Sequence, residues 1–288
     1  MTIPSSVRAV VTGAGSGIGR AFALQFARRR GAVLCSDIDL VKAEETAHLV
    51  EAAGATRAAA VRCDVARAEQ VAELAEQADA RIGGTDVIVN NAGVGVAGAV
   101  GDVPLDDWRW LMDINLWGVI YGCHVFVPRL KRQAQGHVIN VASAAGIVSG
   151  PRMGPYNVAK AGVISLSETL SGELASSGVG VTVLCPTFIK TNILNASRGD
   201  DPGGKKVAQH LMDTAKLDAD DVARITLEHA DRDALYCLPQ ADAKLVWRLK
   251  RLDPTAFYKR LAPRMSKLMN DGQGKADWRA IARTLVGG

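Results

Sequence analysis

Short apolar runs alternate with longer amphipathic stretches from Val7 onward. "VRAVVT" reads as a buried strand, 17–30 as a helix, and "AVLCSD" as the next strand. Helix 41–53, strand "AAAVRCD", helix 67–82 and strand "DVIVN" follow. A long helix over 106–131 leads to strand "HVINVAS". A helix over 155–177 then leads to strand "VGVTVLC". The strands are apolar without polar alternation, as in a sheet covered on both faces. Strand and helix alternating at this spacing imply right-handed crossovers and a parallel sheet. The expected fold class is therefore α/β: a doubly wound parallel sheet of about seven strands with helices on both faces.

After Cys185 the rhythm breaks. "SRGDDPGGKK" (197–206) is polar and Gly-rich and reads as a loop, a candidate lid. A helix over 218–231 precedes "ALYCLP", a last short strand. From Gln240 the pattern becomes basic and helical, with eleven Lys and Arg against four Asp. Leu245, Leu249 and Leu252 recur at helical spacing, as do Phe257, Leu261, Met265 and Leu268. This divides the chain into a dinucleotide-binding and catalytic domain (1–239) and a helical C-terminal extension (240–288). The extension is expected to pack as amphipathic helices on this subunit or a partner. Peripheral contact with an acidic membrane surface is the less favoured reading.

Composition narrows the class. The chain is 48% hydrophobic and 22% charged, which fits a globular protein with a sizeable core. A net charge of +4 gives no case for nucleic acid. Five single cysteines without a CxxC pair read as reduced core residues. The histidines form no ligand cluster, so no metal is expected. No secretory signal is read before Val7, and no apolar run reads as a membrane span. A cytoplasmic location is expected.

Two constellations carry chemistry. "VVTGAGSGIG" passes from strand to helix with Gly13, Ser16, Gly17 and Gly19 in the turn. Glycines let a diphosphate approach the main chain, and the helix start offers unpaired N–H groups. The next strand ends at Asp37, whose carboxylate suits the two ribose hydroxyls of NAD and repels a 2′-phosphate. Neither Ser16 nor Ile38 is basic, so nothing there offsets the repulsion, and NAD is the expected cofactor. In the second constellation, Ser143 lies just past a strand end, and Tyr156 and Lys160 share one helix face in "GPYNVAKAG". A lysine ammonium lowers the pKa of a neighbouring phenol. Tyr156 would then take or give the proton of an alcohol or ketone oxygen, with Ser143 holding that oxygen. Lys160 also comes within reach of the nicotinamide ribose.

With "TGAGSGIG", "NNAG", Ser143 and "YNVAK", the chain resembles the short-chain dehydrogenases/reductases of the one-domain Rossmann type over about 7–238. The resemblance implies that Asn115 is a fourth catalytic residue, shaping its helix and anchoring a water that relays protons through Lys160. It implies that Asn91, Ala92 and Gly93 line the cofactor site and that Ile18 adds backbone to the diphosphate site. Asp64 and Val65 would contact adenine, and Pro186, Ile189 and Thr191 the nicotinamide end. Thr187 stands where the family has glycine. Substrate-facing positions by analogy are Val94, Gly95, Ala145, Met153 and Phe188, beside Ser143 and Tyr156. They are small or apolar, so a hydrophobic or aromatic secondary alcohol or its ketone is expected. Arg152 is nearby in sequence and reads as a solvated loop residue. The family also implies a homo-oligomer. The expected function is NAD-dependent hydride transfer. The alternatives are an NADP-dependent ketone reductase and a non-catalytic dinucleotide sensor.

Overall fold

The computed structural model describes residues 6–199, 201–260 and 263. The expected helical positions Leu261, Met265 and Leu268 lie outside the described residues. The chain runs β1 (Arg8–Thr12), α1 (Gly17–Arg28), β2 (Ala32–Asp37), α2 (Leu40–Ala52), β3 (Arg57–Arg62), α3 (Ala68–Ile82) and β4 (Val87–Asn90). A two-residue strand β5 (Gly95–Val96) precedes α4 (Leu105–Met112), a π turn (Asp113–Trp117) and α5 (Gly118–Arg132). Next come β6 (Gly136–Val141), the single turn α6 (Ala144–Ile147), α7 (Gly154–Glu173) and β7 (Val179–Leu184). The last part holds β8 (Ser197–Arg198), α8 (Pro202–Asp213), α9 (Ala219–Ala230), β9 (Tyr236–Cys237) and α10 (Ala241–Leu252).

Seven strands form one parallel sheet in the order β3-β2-β1-β4-β6-β7-β9. The winding direction reverses between β1 and β4, and a crevice opens beyond the strand ends at such a point. Strand residues alternate between two cores. On one face Val10, Leu34, Ile88 and Val138 meet Leu74 of α3, Phe126 of α5 and Val163 of α7. On the other, Val11, Val33, Val89 and Ile139 meet Phe22 and Phe26 of α1, Val50 of α2 and Leu227 of α9. Each fully buried Phe removes enough apolar surface from water to contribute about 2 kcal/mol. All five cysteines are buried thiols. Burial pushes Cys35 and Cys123 up to about 12, so they act as small apolar residues.

Three expectations need correction. The 197–206 segment is not a loop throughout: Ser197–Arg198 pairs with Gly95–Val96, and α8 begins at Pro202. Pro202 suits a helix start, and the Asp201 carboxylate caps it by accepting from Gly204 N at 3.1 Å. The long helix expected over 106–131 carries a π turn in its middle. Finally, Leu105–Arg132 is long and apolar enough to cross a membrane by length and composition, contrary to expectation. Here it packs on the sheet and on α3 and α7, with Leu111, Phe126 and Leu130 fully buried.

His137 in β6 is buried, and Nε2 lies 2.9 Å from Thr182 Oγ1. Thr182 spends its own proton on Ala234 O at 2.9 Å, so His137 Nε2 is the donor. Burial pulls its pKa down to about 4, with Asp233 opposing. Between pH 6.5 and 4 the unfolded chain binds the proton and the folded chain does not, so stability falls as pH falls through this window. We expect a loss of about 2 kcal/mol from this group between pH 7.5 and 5. Urea melts at the two pH values check it: His137→Gln should show a shallower pH slope than the parent chain.

Candidate active site

The glycine turn sits at the crevice. Gly13 adopts φ +64°, a left-handed region that residues with side chains adopt rarely, and an added Cβ would lie 2.8 Å from Ala92 Cα. Gly19 packs more tightly: a Cβ there would lie 2.1 Å from Gly13 O and 2.5 Å from Asn91 Nδ2. Asn91 fixes the turn from the other side, donating Nδ2 to Thr12 O at 2.8 Å and to Gly13 O at 3.2 Å. Ser16 precedes α1 in extended geometry, and its hydroxyl makes no capping bond. The first N–H groups of α1, including Ile18, therefore point out of the helix start beside a free hydroxyl.

Asp37 ends β2 beside this turn. Its Oδ2 accepts from Gly15 N at 2.9 Å and its Oδ1 from Asp39 N at 3.0 Å. Two backbone donors hold the carboxylate at the rim of the turn and leave acceptor capacity on both oxygens. Asp64 lies just past β3, its Oδ1 accepting from Ala66 N at 3.0 Å, and Val65 is buried against Gly118. Arg20 steadies the turn, donating to Gly15 O at 2.6 Å and to Thr46 Oγ1 at 2.8 Å.

The catalytic candidates converge. Ser143 begins α6 and caps it, its Oγ accepting from Ala145 N at 3.1 Å. The same hydroxyl neighbours the Tyr156 phenol and favours its ionised form. Lys160, one turn along α7, has its Nζ 5.8 Å from the centre of the Tyr156 ring. That Nζ donates to Val141 O at 2.8 Å, which fixes the buried side chain in place. Gly93 closes the group: a Cβ there would lie 3.3 Å from Asn115 Oδ1 and 3.6 Å from Lys160 Nζ. Asn115 is fully buried in the π turn. Its Oδ1 accepts from Val94 N and its Nδ2 donates to Val94 O, both at 2.8 Å. Both side-chain atoms are thereby spent on holding the segment after "NNAG".

The electrostatics differ from the sequence expectation. Desolvation holds the Tyr156 phenol above its ordinary value, and the neighbouring Ser143 hydroxyl offsets only part of the rise. Burial also lowers Lys160 to about 8. Desolvation is the largest influence on both groups, so the phenol is not brought into the neutral range by the protein alone.

The loop after β7 closes over the turn. Pro186 O accepts from Ala144 N at 2.9 Å and lies 3.4 Å from Ser143 Oγ. Thr191 rests on the start of α1, where a Cβ on Gly17 would lie 3.3 Å from its Cγ2. Ile189 is 3% exposed and its side chain belongs to the core, so a ligand would meet its backbone. Ala145, Met153 and Phe188 are each partly exposed, as are Val94 and Gly95. Arg152 is not a solvated loop residue. It takes φ +60°, and its Nε donates to the buried Asp201 at 2.8 Å, tying the Tyr156 approach to the start of α8. Sequence reasoning missed this pair, the β5–β8 ribbon and the Val141 carbonyl. All three depend on long-range backbone placement that no local pattern marks.

Residues 8–202 match the short chain dehydrogenase family. The chain is 41% identical over 194 residues to the probable oxidoreductase EphD of Mycobacterium tuberculosis, covering 67% of this chain and 33% of that one. The chain thus spans about a third of the length of that relative. It is 35% identical over 271 residues to the 1-deoxy-11-beta-hydroxypentalenate dehydrogenase of Streptomyces exfoliatus, covering 88% of this chain and 94% of the relative. Against the 3beta-hydroxysteroid dehydrogenase 1 of Eggerthella lenta it is 35% identical over 230 residues, covering 79% and 87%. Among solved structures, a short chain dehydrogenase/reductase from Burkholderia phymatum in complex with NAD superposes with a TM-score of 0.83 at 35% identity, over 88% of this chain and 96% of that one. With residues 8–202 matching this family and the fold shared with a solved member over 88% of the chain, the chain belongs to the short-chain dehydrogenase/reductase family.

Proposed function

We propose that this protein is an NAD-dependent oxidoreductase that moves a hydride between the nicotinamide and a hydrophobic or aromatic secondary alcohol or its ketone. The observation that carries the reading is Lys160, its Nζ fixed on Val141 O at 2.8 Å and 5.8 Å from the centre of the Tyr156 ring, with Ser143 and the glycine turn alongside. The residues present fit a dinucleotide. The turn around Gly13 and Gly19 has no room for side chains, Ser16 keeps a free hydroxyl, and Asp37 is held at its rim.

In the alcohol direction Ser143 Oγ holds the substrate oxygen and Tyr156 Oη takes its proton. In the ketone direction Tyr156 gives that proton back. Lys160 steadies negative charge on the phenol and, anchored by Val141 O, keeps its ammonium below the ring. Asn115, with its side chain committed to Val94, has its main-chain carbonyl as the group able to hold a relay water. When bound, oxidised nicotinamide supplies the hydride acceptor and a positive charge that favours phenolate. The relatives' names refer to a hydroxysteroid and a hydroxypentalenate, and the partly exposed Ala145, Met153 and Phe188 suit an apolar skeleton of that kind. The cytoplasmic location and homo-oligomeric state form part of the same proposal. A panel of aliphatic, aromatic and polycyclic secondary alcohols with NAD, followed by absorbance of the reduced cofactor, tests the reading. Silence across the panel in both directions overturns it.

NADP is the competing cofactor, because an alcohol dehydrogenase from Thermococcus sibiricus, complexed with 5-hydroxy-NADP, shares the fold at a TM-score of 0.69 and 25% identity. The Asp37 carboxylate argues against it here. A phosphate about 4 Å away would be repelled by about 4 kcal/mol per charge pair at an effective dielectric near 20. Solvent and salt reduce that figure at the rim of a crevice. Asp37→Asn should therefore shift the NAD-to-NADP preference by about 10²-fold, measured as the ratio of dissociation constants by cofactor titration. An unchanged ratio would remove Asp37 as the selector.

A further inference from the structure

α10 and the turn after it lie along the outside of the loop that carries Ser143. Gln240 Oε1 accepts from Thr187 N at 3.2 Å. Lys250 Nζ donates to Ile147 O, and the Tyr258 hydroxyl accepts from Ser149 N at 3.2 Å. Val246 and Phe257, 7% and 4% exposed, pack with Val148 and Leu249. Lys250 Nζ also lies 5.5 Å from the centre of the Tyr258 ring.

These contacts fall where the active-site loops most need support. α6 is a single turn of four residues, and one turn does not hold itself in water. Its N-terminal end is Ser143, so any tilt of α6 moves the Ser143 hydroxyl away from Tyr156. Its last carbonyl, Ile147 O, has no partner further along the helix, and a cation is the favoured group there. Lys250 supplies it. The loop that meets Ser143 from the other side carries Thr187, and Gln240 ties that loop to the same arm. One arm thus holds both sides of the Ser143 hydroxyl.

We infer that Gln240, Lys250, Phe257 and Tyr258 are positioning residues of the active site, which they act on through the Ser143 and Thr187 loops. The inference rests on the reading of Ser143 as the holder of the substrate oxygen. Met153 and Ala145 belong to the same braced loop, so the arm also sets the wall that faces the substrate.

Full-length Tyr258→Phe, Lys250→Met and Lys250→Arg proteins test it. The first removes only a hydroxyl, the second only the ammonium, and the third restores the charge. Amide hydrogen exchange over 144–150 should speed up in Tyr258→Phe and Lys250→Met and return toward the parent rate in Lys250→Arg, with melting temperatures unchanged. On an alcohol that the parent oxidises, kcat should fall about three- to tenfold in the first two variants while the NAD dissociation constant stays constant. Unchanged exchange overturns the brace. Faster exchange with unchanged kcat overturns its role in catalysis. Should Lys250→Met fail to fold, Tyr258→Phe decides alone. A parent protein that oxidises no alcohol refutes the proposed function, while the exchange measurement still decides the brace.

Discussion

Replacing Tyr156 with phenylalanine is expected to lower kcat by about 10³-fold and to leave the NAD dissociation constant within about twofold. The substitution removes one oxygen and keeps the ring that Lys160 approaches. The Ser143 hydroxyl keeps Ala145 N and Pro186 O, and no other phenol, carboxyl or imidazole named in the site stands ready to exchange the proton. Steady-state rates with cofactor titration separate the two effects. Loss of both activity and NAD binding would mean that the residue shapes the site. Full activity would remove the proton donor from the account and favour a chain that senses the dinucleotide without turning over an alcohol.

The second large effect concerns Gly19. A methyl group there would lie 2.1 Å from Gly13 O, which no real contact allows. Backbone stands on the other side, so relief has to come from moving the turn itself. Overpacking of this kind costs about 3 kcal/mol. Gly19→Ala should show that loss in urea unfolding and at least a tenfold weaker NAD dissociation constant, because the displaced turn carries the α1 donors with it. Parent-like stability and affinity together would show that the turn tolerates the methyl group.

Much of the fold was legible because its signals are local. Each main strand is a short apolar run and most main helices are amphipathic stretches, so the parallel sheet followed from alternation, whereas the strand order did not. Gly13, Gly17 and Gly19 were legible for the same reason: the turn lies between adjacent elements. Ser143, Tyr156 and Lys160 were found because one helix holds two of them and a strand end holds the third. Electrostatics were less legible. Sequence spacing places an ammonium near a phenol, but it does not reveal that Lys160 is buried and Tyr156 partly so, and the desolvation reverses the direction of the Tyr156 shift. Contacts between distant segments were not legible at all. Nothing local in "CPTFIK" or "LPQADAK" marks Gln240 as the partner of Thr187, fifty-three residues earlier. The α8 start was misread because Gly203 and Gly204 resemble a loop, whereas Asp201 and Pro202 together nucleate a helix.

Hydride transfer next to Tyr156 is the central claim, and isotope transfer measures it most directly. The parent protein is mixed with NAD and a secondary alcohol carrying deuterium on the carbinol carbon, and the reduced cofactor is analysed by mass. The account predicts one deuterium on the nicotinamide and a slower single turnover than with the protium alcohol. Reduced cofactor without deuterium, or no reduced cofactor with any alcohol of the panel, would contradict it.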